Sequence, residues 1–253
     1  MTSESVLKIH GTLIPYRVVI RSNAKNVTLR INADLTLRVT VPPYIRYEEL
    51  DTILRDKTDW IWKAREETRL RLEALPRHSF AENDCIPVLG EPQTLHIHAS
   101  NKQNVTITWH RSDQSFEVTV PPEWVDASYS QTLYEAFTEW FKQFGKRHAT
   151  ERLQEYGTRM GRLPKKLVLR SQTSRWGSCS SDGTIALNWR LFLGPREIVD
   201  YVIVHELAHL FHMNHSDAFW STVEDILPDY KVRRQWLREH GQLLDLHRDR
   251  PSP

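Results

Sequence analysis

The stretch Val204-His205-Glu206-Leu207-Ala208-His209-Leu210-Phe211-His212-Met213-Asn214-His215-Ser216 decides how the chain is read. It carries H-E-x-x-H inside an apolar helical pattern of Ile198, Val199, Val202, Ile203, Leu207 and Leu210. On a helix, residues four apart sit one turn apart on the same face, so His205 and His209 point at one ion. Glu206 lies beside them, placed to take a proton from a water that the ion activates. The plainer alternative is that these histidines decorate a helix C-terminus, where positive charge is favoured. That accounts for His212, but not for Glu206 within an apolar run.

Geometry bears on the third ligand. If the helix ran on, His212 would point the same way as His205 but about 10 Å further along, at about 1.5 Å per residue. Zinc–nitrogen bonds of about 2.0–2.1 Å cannot gather ligands so strung out, so the chain has to turn back. Asn214 tolerates the left-handed conformation that ends helices, and His215 follows it. The expected ligands are therefore His205, His209 and His215, with a fourth position open. Glu224 or Asp225 on the following helix is the alternative third ligand. His212 is expected to be a bystander or a brace for a ligand. Zinc is the expected ion, since neutral imidazoles suit it and it needs no redox partner. The spacing matches the metzincin arrangement except that His212 stands where that arrangement has Gly, which leaves Met213-Asn214 as the other place for the turn.

Working outward, Gly194-Pro195 opens the helix, with Pro195 at the first helical position and Glu197 in the first turn. Upstream, residues 175–179 and 184–190 form an expected hairpin about Ser181-Asp182-Gly183, after a short strand at 167–170. Downstream, Val232, Trp236, Leu237, Leu243 and Leu244 mark a last helix over 230–246. Trp176 and Trp189 read as core residues and Cys179 as a small hydrophobe. Tyr230 and Arg175 are candidates for stabilising a tetrahedral oxyanion. An exposed strand edge at 176–179 could pair with an extended peptide.

The N-terminal half has a different character. Residues 27–43 and 105–122 both alternate apolar and polar residues about a polar turn, and both end in Val-Thr-Val-Pro-Pro. Each is followed by a helical face, Leu50, Ile53, Leu54, Trp60 and Ile61 in one case and Leu133, Phe137, Trp140, Phe141 and Phe144 in the other. A duplicated hairpin–helix unit explains the likeness; shared strand composition is the simpler alternative. Residues 82–92 read as a turn-rich connection into a strand at 93–98. The expected fold class is α+β: a domain of helix, three-stranded sheet, H-E-x-x-H helix and C-terminal helix over 123–247. A β-rich region over 1–122 precedes it, and a tail over 248–253 follows.

Composition narrows the setting. The 253 residues include 34 Lys and Arg against 32 Asp and Glu, with 9 Gly, 13 Pro and 2 Cys, which excludes disordered and collagen-like classes. No apolar run is long enough for a membrane helix, and the first residues lack the basic head and apolar stretch of a secretory signal. Two cysteines make no disulfide framework, so a cytoplasmic setting is expected. Twelve histidines is a high share, and four of them fall within eleven residues. The net charge of +2 hides a segment, 145–175, with nine Lys and Arg against Glu151 and Glu155. A solvated helix face is the usual cause of such a run; a nucleic-acid contact is the sharper one.

Arg175-Trp-Gly-Ser-Cys179, Ile185-Ala-Leu-Asn188, Asp200-Tyr-Val-Ile-Val-His-Glu-Leu-Ala-His209, Asn214-His-Ser216, Phe219-Trp220 and Pro228-Asp-Tyr230 resemble the YgjP-like family of predicted metal-dependent hydrolases. Leu29-Arg-Ile31, Val-Pro-Pro and Trp60-Ile61 resemble its first half. The resemblance implies a zincin-type catalytic domain with His205, His209 and His215 as zinc ligands and Glu206 as the catalytic residue. It does not imply a substrate. Its relatives, the SprT-like and WLM proteases, also place H-E-x-x-H on a helix. The expected function is zinc-dependent hydrolysis of peptide bonds in a protein or peptide substrate. The alternatives are a DNA-associated protease or nucleic-acid-binding protein using 145–175, and an amidase acting on small molecules.

Overall fold

Alternation builds the first sheet: Leu37, Val39 and Val41 are buried on one face, with Arg38 and Thr40 on the other. The computed structural model describes residues 4–32, 34–73, 75–101, 104–124, 129–172 and 175–248. These fall into two compact units, 1–75 and 76–253.

The first unit contains β1 (Glu4–Ile9), β2 (Thr12–Ile20), β3 (Thr28–Ile31) and β4 (Leu37–Val41) in the order β1-β2-β4-β3, with β2 parallel to β4. Two helices follow, α1 (Tyr47–Asp56) and α2 (Thr58–Glu73). The single helical face expected here is broken at Lys57. The Thr58 hydroxyl donates to the Arg55 carbonyl at 3.0 Å, and a new helix starts from the Lys57 carbonyl. Leu50, Leu54 and Ile61 still reach the core with Ile14, Tyr16 and Leu37, whereas Trp60 is 46% exposed.

The second unit begins with β5 (Arg77–His78), β6 (Cys85–Val88), β7 (Glu91–Ala99), β8 (Thr106–His110) and β9 (Ser115–Val120). Its sheet order, β6-β7-β9-β8, repeats that of the first unit. So does its register: the pair Tyr16↔Leu37 becomes Leu95↔Phe116, 79 residues on, and Ile9↔Thr12 becomes Val88↔Glu91. Only β8 slips by a residue, since Thr40 faces Thr28 but Thr119 faces Thr106. Even the left-handed turn residues recur, His10 and Gly11 as Leu89 and Gly90, and Leu35 as Gln114. The turn-rich reading of 82–92 missed β6. Pro87 disguises it, yet Pro87 sits opposite Pro92 in an antiparallel pair.

Next comes α3 (Ser130–Met160), whose buried Leu133, Phe137, Phe141 and Phe144 belong to the same core as Phe116, Val118 and Val120 of the sheet. Each such phenylalanine contributes about 1.5–3 kcal/mol of burial. A three-stranded sheet follows, from β10 (Lys166–Arg170), β11 (Gly177–Cys179) and β12 (Thr184–Asn188), in the order β10-β12-β11. Then come α4 (Arg196–Ala208), α5 (Asp217–Ile226) and α6 (Tyr230–His240), and β13 (His247–Arg248), which pairs with β5. Pro195 is the residue before α4 rather than its first helical residue. The expected final helix over 230–246 ends at His240, with one 3-10 turn after it. Asp200 on α4, 6% exposed, takes a fork from Arg152 on α3, Nε and Nη2 each at 2.7 Å. Hydrogen bonding to Asp200 holds the Arg152 guanidinium above its ordinary range. The architecture is mixed α+β, and the second β-sheet shares its unit with α3–α6.

Candidate metal centre

Helix α4 is apolar on nearly all sides, so Val199, Val202, Ile203, Val204, Leu207 and Ala208 fix it in the core of the second unit. This leaves its last turn with His205 and Glu206 held rigidly, and His209 follows as the terminal residue. The helix ends sooner than the sequence suggests. Leu210 N–H donates to Leu207, and Phe211 and His212 N–H both donate to Ala208, all at 3.0 Å. The Arg162 guanidinium takes the Leu210 carbonyl. These tightened bonds turn the chain without a left-handed residue at Asn214, which was the expected device.

The turn brings His215 back. Ligand atoms of His205, His209 and His215 lie within 4.8 Å of one another. Nε2 of His215 and Nε2 of His205 face each other at 3.1 Å. Two nitrogens bound tetrahedrally at about 2.0–2.1 Å would lie about 3.3 Å apart, so the spacing fits one shared ion. His209 Nδ1 lies 3.0 Å from the His212 carbonyl oxygen. A carbonyl only accepts, so the proton is on Nδ1 and the Nε2 lone pair is free for metal. His212 thus contributes through its main chain. Phe219 of α5 forms the floor, its ring 4.6–4.9 Å from all three imidazoles. Trp220 stacks on His215 at 5.6 Å. Neither aromatic was singled out as functional from spacing alone.

Burial and the neighbouring imidazoles His209 and His215 lower the His205 pKa to about 3. Burial also lowers that of His215. Both imidazoles are therefore neutral, as metal ligation requires. Two buried atoms here, His205 Nδ1 and Glu206 Oε2, have no hydrogen-bond partner among the described residues. Glu206 is 4% exposed, and burial pushes its pKa up to about 8, with Arg175 pulling the other way. A cation bound at the imidazoles would favour the carboxylate again. Gly177 of β11 leaves room for this side chain: a Cβ there would lie 2.7 Å from Glu206 Cγ and run into Oε1. The donor set therefore fits a zinc-sized divalent ion.

The other expected residues fall as follows. Glu224 is 51% exposed and pairs with Lys231 at 3.6 Å, and Asp225 is exposed, so neither joins the imidazoles. Trp189 is fully buried, its Nε1–H donating to Ser171 Oγ at 3.1 Å. Tyr230 is buried and stacks on Trp220, and Arg175 is exposed. Within 145–175, Arg152 and Arg162 are taken up by the bonds to Asp200 and Leu210. No described helix is long and apolar enough to cross a membrane.

Three imidazoles converge beside the buried carboxyl of Glu206 on α4, a donor set that could hold a metal ion. Residues 25–240 match the YgjP-like metallopeptidase domain, so the chain belongs to that family and is a metallopeptidase-type hydrolase. Among solved structures, the metallopeptidase zymogen abylysin of Pyrococcus abyssi is 24% identical over 39% of this chain and 98% of its own, at a TM-score of 0.34. A likeness that low carries no conclusion. No curated protein matches.

Proposed function

We propose that the chain is a zinc-dependent peptidase of the zincin type, with His205, His209 and His215 holding the ion and Glu206 as general base. The observation that carries this reading is the buried, unpartnered Glu206 Oε2 beside three imidazoles whose ligand atoms lie within 4.8 Å. The order α3, three-stranded sheet, α4, then α5 and α6 agrees with it. When bound, the ion polarises the scissile carbonyl and makes water a stronger acid. Glu206 Oε2 accepts the proton of the attacking water and returns it to the leaving amine nitrogen. Burial makes the Glu206 carboxylate a stronger base than an exposed one, which supports its role in taking the proton, and a cation at the imidazoles would keep it ionised for that step.

A peptide is favoured over a small amide by the edge of the three-stranded sheet. Asn188 N–H donates to the Trp176 carbonyl and Ser180 N–H to the Thr184 carbonyl, so the alternating main-chain groups of Gly177 and Cys179 point away from β12. Among the described residues they have no backbone partner, and Gly177 abuts Glu206. An extended substrate adding to this edge passes directly over the carboxyl.

The test is Glu206→Gln. The variant is expected to retain zinc, measured by metal analysis, while peptide cleavage falls about 10²–10⁴-fold. Wild-type cleavage by a zinc-replete variant would remove Glu206 from the mechanism. Hydrolysis of small amides with no cleavage of any peptide would replace the peptidase by an amidase.

A further inference from the structure

One cavity of the second unit is lined only by residues that border the metal centre or stand on α6. It has a volume of about 460 Å³, and its walls include Trp176, Tyr201, Lys231, Arg234, Leu237 and Arg238. Three of these are cations and none of its lining residues is acidic. Tyr201 stands one helical turn before His205, their rings 5.9 Å apart. Trp176 precedes Gly177, the residue against Glu206. The Arg234 guanidinium lies 4.6 Å from the centre of the Trp220 ring, the ring that stacks on His215. The cavity therefore borders the centre through Tyr201 of α4, through Trp176 just before β11, and through the contact of Arg234 with Trp220.

Two of its three cations lack a carboxylate partner among the described residues. Lys231 pairs with Glu224 at 3.6 Å. The neighbouring Arg233, outside the cavity, takes Asp229 and the Glu197 carbonyl. Arg234 and Arg238 are exposed, and no carboxylate pairs with them among the described residues. Four residues apart on α6, their guanidinium groups lie on one face of the helix. Trp176 and Leu237 give the same cavity an apolar wall. Two forked donors over an apolar wall fit a carboxylate on a short methylene stem.

We infer that this cavity is a substrate subsite for an acidic side chain, with Arg234 and Arg238 selecting Glu or Asp close to the cleaved bond. Tyr201, in the wall of the cavity, stands one helical turn from His205, the length of about two residues of extended peptide at about 3.3 Å each. The inference rests on the peptidase reading, and its test separates the two.

The probes are matched dodecapeptides with a single Glu or Gln at each successive position, measured in two ways. Binding is followed by fluorescence anisotropy on zinc-loaded Glu206→Gln protein, and cleavage by mass spectrometry on zinc-loaded wild type. At one position Glu should bind, and be cleaved, about 10–100-fold better than Gln. The preference should vanish in Arg234→Gln/Arg238→Gln and reverse toward Gln in Arg234→Glu/Arg238→Glu, with zinc content unchanged. Because both side chains are exposed, the fold of these variants can be checked by their melting curves. Equal affinity for Glu and Gln peptides at every position overturns the subsite, whether or not wild type cleaves them. So does a preference that survives in Arg234→Gln/Arg238→Gln. A Glu preference in binding, lost in that variant, with no cleavage of any peptide upholds the subsite and overturns the peptidase reading.

Discussion

The two four-stranded sheets share strand order, register and left-handed turns, yet their surroundings differ. A Cβ added at Gly11, in the first turn, would meet nothing within 4 Å. One added at Gly90, its counterpart, would meet the Pro195 Cα at 3.0 Å. Beside it, Leu89 N–H donates to the Phe192 carbonyl at 2.8 Å. The second turn is thus fastened to the segment that launches α4, while in the first the His10 ring meets Trp62 edge-on at 5.1 Å. One local code makes both sheets, and tertiary contacts distinguish the one that supports α4.

The sharpest way to break this contrast is through ion pairs. Asp200→Asn leaves the Arg152 guanidinium, 13% exposed, with only the exposed Glu155 as a carboxylate partner, and should destabilise the second unit by about 3 kcal/mol in urea unfolding. Asp51→Asn in α1 removes the exposed pair with Arg55 and should leave the unfolding midpoint unchanged. Equal effects at the two sites would show that the α3–α4 tie is ornamental.

The turn glycines form the next pair. Both have positive φ, so alanine is strained at each by about 1–2 kcal/mol. Gly90→Ala adds a collision with the Pro195 backbone and should cost about 2–4 kcal/mol, with a loss of zinc affinity as α4 shifts. Gly11→Ala should show the strain alone and bind zinc normally. Matching losses would mean that the hairpin does not position α4.

The smallest contrast lies in pH. The first unit has one histidine, the exposed His10, whereas the second holds the half-buried His205 and the buried Glu206. In zinc-free protein, unfolded Glu206 releases its proton near 4.5 while the folded carboxyl keeps it to about 8, so stability falls as pH rises between them. Unfolded His205 takes a proton near 6.5 while the folded ring refuses it down to about 3, so stability falls as pH drops between those values. The two slopes cancel where they overlap. The second unit should show a stability plateau from about pH 4.5 to 6.5, and lose about 2 kcal/mol between 6.5 and 8. Zinc should abolish the loss on the alkaline side. A zinc-free melting curve that rises steadily from pH 5 to 8 would contradict this.

Strands β3, β4, β8 and β9 were legible because each alternates cleanly and is bounded by polar turns or Pro-Pro. Strands β1 and β2 gave no such signal. Thr12–Ile20 carries apolar residues on both faces, with Leu13 64% and Ile20 68% exposed, and has Pro15 in its middle. At the site, His205, Glu206 and His209 follow from helical geometry, and His215 from the need for the chain to return. The Arg152–Asp200 tie joins residues 48 apart, which no local pattern reveals. Arg234 looked like one cation among many until the fold set it over Trp220.

The hydrogen bond from His209 Nδ1 to the carbonyl of His212 has one more implication. The tautomer of this imidazole is dictated by a peptide group, and a peptide group has no side chain to replace. Position 212 is thereby left open to drift: any residue that allows the same turn presents the same oxygen. The control over His209 is inherited with the path of the backbone, and it stays invisible to any scan that only exchanges side chains.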